Sequence, residues 1–121
     1  MTNHPDRSTP ADIELQSQNH QFVAEIYSCV ESGDILGAIV HLDRAIHAQP
    51  NCAHFYAERA SFHAQISNIQ QAINDYDRAI AIQPDNQLFQ HWRSQLVDRL
   101  WDKIKIAHQL QLAIFRNKII L

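Results

Sequence analysis

An all-α fold of paired helices is what this 121-residue sequence predicts, on three observations. Turn formers are scarce, with only Gly 2 and Pro 4 in the chain, whereas a β-rich domain uses both heavily in its turns. Apolar residues recur at three- and four-residue steps through successive stretches, as in helices that bury one face. A block of sequence also returns after 34 residues. The expected architecture is a short helical solenoid: two helix–turn–helix repeats followed by a C-terminal capping helix or helices. It forms one domain over residues 10–121, behind a disordered arm over residues 1–9.

The arm is polar, contains Pro5 and shows no apolar period. Thr9-Pro10-Ala11-Asp12 reads as a helix start, with a capping hydroxyl, Pro at the first helical position and an acid in the first turn. Ile13 and Leu15 precede a polar stretch from Gln16 to Gln21. A continuous helix and a break near Asn19 are both open there. Phe22, Val23, Ile26, Cys29 and Val30 then paint one helical stripe. Gly33 stops that helix by taking positive φ, and Asp34 caps the next. The second helix carries Ile35, Ala38, Ile39, Leu42, Ala45 and Ile46, and Pro50 ends it. A third helix runs from about Ala53 to Gln65, with a break at Ser67 and a cap at Asn68. A fourth, with Ile69, Ala72, Ile73, Tyr76, Ala79, Ile80 and Ile82, closes at Pro84. Asp85 is the expected cap of a fifth, whose Leu88, Phe89, Trp92 and Leu96 turn inward as a cap.

The repeat is explicit. Setting Ile35–Cys52 against Ile69–Asn86 without a gap gives nine identities in eighteen positions, among them Ala38/Ala72, Asp43/Asp77, Arg44/Arg78, Ala45/Ala79 and Pro50/Pro84. Gly33-Asp34 at the turn, Ala38 with Leu42 and Ala45, Pro50-Asn51, and their counterparts Ala72, Tyr76, Ala79 and Pro84-Asp85-Asn86 carry a resemblance. The sequence resembles the tetratricopeptide repeat family, whose unit is a helix–turn–helix of about 34 residues. The string Ile73–Asn86 is similar to bacterial, and in particular cyanobacterial, members. The likeness covers residues 19–86 well (repeat 1 over 19–52, repeat 2 over 53–86) and 87–100 loosely. The buried alanines of such a unit permit close helix approach. Ile26, where the family favours Gly, implies a wider first crossing.

That resemblance implies a non-enzymatic protein-interaction module, an adaptor or assembly factor, with a groove lined by the first helix of each pair. Carried over residue by residue, the groove is His20, Val23, Tyr27, Val30 and Glu31 in the first repeat, and His54, Ala57, Glu58, Ser61, Ala64 and Gln65 in the second. Leu88, His91, Gln95 and Arg99 follow in the third layer. The places where the chaperone-binding branch has Lys, Asn and Arg hold Val23, Tyr27, Ala57 and Ser61, so no carboxylate clamp is expected. The groove is mixed, mildly acidic and suited to a neutral peptide or an amphipathic helix.

The residues themselves argue against other classes. Residues 1–85 carry eleven acidic and four basic side chains, and residues 86–121 carry six basic and two acidic ones. An acidic body is the opposite of a nucleic-acid footprint, so no nucleic acid is expected. Eight histidines invite a metal reading, yet only His54 and Glu58 share a helical face at proper spacing, and zinc needs three or four ligands. No metal and no cofactor are expected. Asp75 and Asp77 diverge on a helix, and no glycine loop or nucleophile elbow occurs, which speaks against an enzyme. Two cysteines and no charged-then-apolar leader suggest a cytoplasmic protein.

Beyond residue 100 the chain continues without Gly or Pro and keeps more apolar residues than a cap requires. Trp101, Ile104, Leu110, Ile114 and Phe115 mark a tail interface. The tail is expected as one helix or two, with a strand as the minority alternative because Ile104, Ile106, Leu110, Leu112 and Ile114 also fit period two. It has three possible uses: folding back on the body, self-association or docking in a larger assembly, and lying on a membrane surface through apolar residues plus Arg116 and Lys118. A structural subunit of a stable oligomer or larger complex, including a photosynthetic one, is the alternative to the adaptor.

Overall fold

The computed structural model describes the backbone of residues 9–120 and the side chains of residues 9–10 and 20–118. The expected arm lies, apart from Thr9, outside the described residues. Among them are five helices and no strand: α1 Pro10–Glu31, α2 Ile35–Ala48, α3 Ala53–Gln65, α4 Ile69–Ile82 and α5 Gln87–Ile120. The polar stretch from Gln16 to Gln21 does not break α1, because it contains neither Gly nor Pro and its Gln residues are good helix formers. The fold class is all-α, and the tail is helix throughout its described length. The chain divides into two compact units, Met1–Asn51 and Cys52–Leu121.

In the first unit α1 pairs with α2. The turn between them is a Schellman closure. Gly33 sits at φ +75 and donates its N–H to the Val30 carbonyl at 3.1 Å, while Asp34 donates to the Cys29 carbonyl at 2.8 Å. The Asp34 carboxylate accepts the Gly37 N–H at 2.8 Å, capping α2. Ile26 of α1 and Ala38, Ile39, Leu42 and Ala45 of α2 are buried, with the three small or branched positions Ala38, Leu42 and Ala45 at 0% exposure. Glu25 Oε2 lies 2.9 Å from His41 Nδ1, tying the two helices at their edge.

The second unit sets α3 against α4 and α4 against α5. Its first turn repeats the earlier one atom for atom: Ser67 donates to the Ala64 carbonyl at 3.1 Å and Asn68 to the His63 carbonyl at 2.8 Å, with Ser67 at φ 65. Asn68 occupies the cap position of α4, but its side chain makes no capping hydrogen bond. Ala60, Ala72 and Ala79 are fully buried, so helix backbones approach closely there. Phe89 and Leu96 of α5 complete the core. The helix ends match the proline positions. α2 and α4 stop at Ala48 and Ile82, two residues ahead of Pro50 and Pro84, since proline excludes the helical region for the residue before it.

Two local expectations are corrected. Asn86, not Asp85, caps α5: its Oδ1 accepts from the N–H of Leu88 at 3.1 Å and of Phe89 at 3.4 Å. It directly precedes Gln87, whereas Asp85 sits one residue too early in the turn. Leu88 and Trp92 do not turn fully inward; they remain 57% and 39% exposed.

Candidate functional site

The α3–α4–α5 unit holds a concave pocket of about 540 Å³. α3 contributes His54, Ala57, Glu58, Ser61 and Ala64 at three- and four-residue steps, so one helical face forms the wall. α5 forms the opposite wall with Leu88, Phe89, Trp92, Gln95, Leu96 and Arg99 at the same periodicity. Tyr76 of α4 lies between them as the floor, and Asn86 closes the end where α5 begins.

The aromatic residues are held against one another. The Tyr76 and Trp92 rings are 6.2 Å apart, tilted by 44°, and Phe89 meets Trp92 at 6.3 Å with the same tilt. His54 presents an edge to Phe89, 6.1 Å between centroids and 89° between planes. Such offset and edge contacts fix ring orientation as well as burying area. The polar groups stand at the rim. Burial pushes the Glu58 carboxyl above its ordinary range, and the His54 charge pulls it partly back. Burial alone raises the Tyr76 phenol.

The walls are braced from behind. Arg59 donates from Nε and Nη2 to both oxygens of Asp75, at 2.8 and 2.7 Å, joining α3 to α4. Asp75 is 7% exposed, so this is a largely desolvated pair. The Arg59 and Arg78 guanidiniums both lie near the face of Tyr56, at 5.8 and 6.0 Å from its centroid. Arg93 donates to Asp77, joining α5 to α4. Reading the two aspartates by their separation along one helix missed both links. Each is a contact between residues sixteen apart, a spacing that becomes a signal only once antiparallel helix pairing is known.

Of the groove residues named from the sequence, the structure gathers His54, Ala57, Glu58, Ser61, Ala64, Leu88, Gln95 and Arg99 around this pocket. Gln65 and His91 are exposed and outside its lining. His20, Val23, Tyr27, Val30 and Glu31 are exposed along α1 in the other unit, with Tyr27 at 64%. Tyr76, Phe89, Trp92 and Leu96 lie outside the groove expected from the sequence because apolar periodicity marks them as core, and Tyr76 and Trp92 serve as both; Asn86 lies outside it because it belongs to the turn before α5. Among the tail positions, Trp101, Ile104, Leu110, Ile114 and Phe115 are all exposed, between 49% and 61%. Every described residue from 101 to 118 is exposed, so the structure does not show the tail folded back on the body. Among the described residues no three or more His, Cys, Asp or Glu side chains converge as a metal site, and no helix is long and apolar enough to cross a membrane.

Known proteins give a partial likeness. No family model matches the chain. It is 35% identical over 68 residues to "Tetratricopeptide repeat protein 16" of Homo sapiens and of Macaca fascicularis, in each case over 53% of this chain and 8% of the relative. The chain thus spans less than a tenth of the length of these curated relatives. Their shared name agrees with the 34-residue recurrence and the two alike helix turns, and supports a tetratricopeptide-type repeat in about half of this chain.

Proposed function

We propose that this chain is a non-enzymatic protein-interaction module, an adaptor or assembly factor that takes a protein or peptide partner in the α3–α5 pocket. The observation that carries the reading is Trp92, 39% exposed in the α5 wall of the pocket, beside Leu88 and Phe89 and against Tyr76 of the floor. A partly exposed, orientation-locked tryptophan within a polar rim is the composition of an interface hot spot. The pocket volume suits one large apolar side chain and its neighbours. Glu58 and His54 at one place on the rim and Arg99 at another favour a partner with an apolar anchor and mixed flanking charge, such as an amphipathic helix. The string Ile73–Asn86 is similar to bacterial and in particular cyanobacterial repeats and supports such a setting, and the two free cysteines, Cys29 and Cys52, fit a cytoplasmic location.

Selection of peptides from a display library on the wild-type chain tests this. Trp92→Ala should weaken the selected ligands at least tenfold, and Tyr27→Ala on α1 should leave them within twofold. Equal binding by wild type and Trp92→Ala would remove the pocket from the interface. A second reading, a structural subunit of a stable oligomer or larger complex, including membrane-associated ones, is favoured by the run of exposed apolar residues from Trp101 to Phe115.

A further inference from the structure

Shifting the second hairpin by 34 residues once more lays α3 and α4 onto α5. Phe55/Phe89 and Arg59/Arg93 are identical in its first half, and Ala79/Ala113 and Ile80/Ile114 in its second. Of the buried residues of α4, Ala72, Ile73, Tyr76 and Ala79 fall on Ile106, Ala107, Leu110 and Ala113, and Ile69 and Asp75 on Lys103 and Gln109. The distal half of α5 therefore carries the inward face of a second repeat helix. In the structure that face is exposed, with Ile106 at 57% and Leu110 at 59%.

The missing element is the turn. Gly33 and Ser67 hold the positive-φ position of the first two hairpins, and the third has Trp101 there. A bulky aromatic is strongly disfavoured at positive φ. The helix instead runs straight through residues 100–102, with no Gly or Pro to stop it. A hairpin half that cannot close on its own chain finds the same surface on another copy, which is the condition for exchange of an element between protomers.

We infer that a second copy of this chain covers this face: two α5 helices pair antiparallel about a two-fold axis near Trp101, the distal half of each packing on the proximal half of the other as α4 packs on α3. Each half then completes the third hairpin of its partner. The register follows from the second hairpin, where His63 Nε2 lies 4.0 Å from Asp75 Oδ2; its counterparts are Val97 and Gln109. Two helices of 34 residues offer roughly nine turns for pairing, and the exposed apolar residues from Trp101 to Phe115 supply surface for it to cover.

The test uses the full chain with Cys29→Ser and Cys52→Ser, and adds Val97→Cys with Gln109→Cys. On one straight helix these positions are roughly 18 Å apart and cannot bridge. Light scattering on a sizing column should give twice the 14.0 kDa chain mass, and a short bismaleimide, which spans more than a disulfide but less than the separation along one helix, should link two chains. Ile106→Asp/Leu110→Asp, at positions exposed in the monomer, should halve the mass while circular dichroism keeps the signal of α1–α4. Replacing residues 100–102 by a turn (Leu100→Ile/Trp101→Gly/Asp102→Asn) should yield a monomer with the bridge inside one chain. A monomer at every concentration, a dimer that survives Ile106→Asp/Leu110→Asp, or a dimer that does not cross-link at 97 and 109 would overturn the inference.

Discussion

Gly33 and Ser67 hold one place in two copies of the same turn, and only the glycine adopts positive φ without steric cost. A non-glycine residue there costs about 1 kcal/mol. Ser67→Gly should therefore stabilise the chain by about 0.5 kcal/mol after the added freedom of the unfolded state is subtracted, and Gly33→Ala should destabilise it by about 1 kcal/mol. Paired thermal melts check both signs. Glu58 gives a prediction in pH. Its folded carboxyl lies above the ordinary value, so the native state holds its proton more tightly than the unfolded chain does. Its contribution is thus complete at low pH and is lost as pH rises from the ordinary carboxylate range through the raised one. Glu58→Gln should flatten that part of the stability profile in denaturant titrations at successive pH values; His54, which pulls the carboxyl back, remains in both proteins. Residue detail was unevenly legible. Asp34 and Gly33 declare a cap and a turn by type, whereas serine carries no demand for positive φ, and Asp85 and Asn86 are both good caps whose order only the helix start decides.

Helices came out of the sequence because apolar spacing reports which face meets a neighbour. The same spacing cannot say how tightly. The 0% exposure of Ala72 and Ala79 does, and it makes Ala72→Leu an overpacking change that should cost about 1–3 kcal/mol. An unaltered urea midpoint would mean the α3–α4 crossing is looser than its alanines indicate. Contacts between elements were the least legible. Asp75 and Asp77 look alike along the chain, yet one is buried against α3 and the other reaches α5. Asp75→Asn keeps the shape but removes the charge that two Arg59 hydrogen bonds address, and should cost about 1.5–3 kcal/mol. Asp77→Asn, at a pair that is half exposed, should cost less than 1 kcal/mol. That contrast between neighbours on one helix is measurable by the same denaturant titrations, and equal losses would contradict the burial difference.

At the scale of the whole chain, charge and apolar surface are both distributed unevenly. The acidic side chains dominate up to residue 85, and the six basic ones after it accompany the exposed apolar run of α5. This asymmetry was legible from composition. The division of α5 near residue 100 was legible too, because Leu88, Gln95 and Arg99 read as groove and Trp101 to Phe115 as tail; what was not legible is which use the tail has, and the described residues from 101 to 118 all stay exposed. That division predicts the effect of deleting residues 101–121. The buried residues of α2, α3 and α4, together with Phe89 and Leu96, all precede the cut. The truncated chain should therefore retain its helical signal from α1–α4 and the pocket around Trp92. Its melting temperature should not change with protein concentration. The full-length chain, if its stability includes association, must gain by mass action and melt higher as concentration rises. A truncated chain that melts many degrees lower at every dilution would instead show that the distal helix supports its own body, contrary to its exposure from 101 to 118.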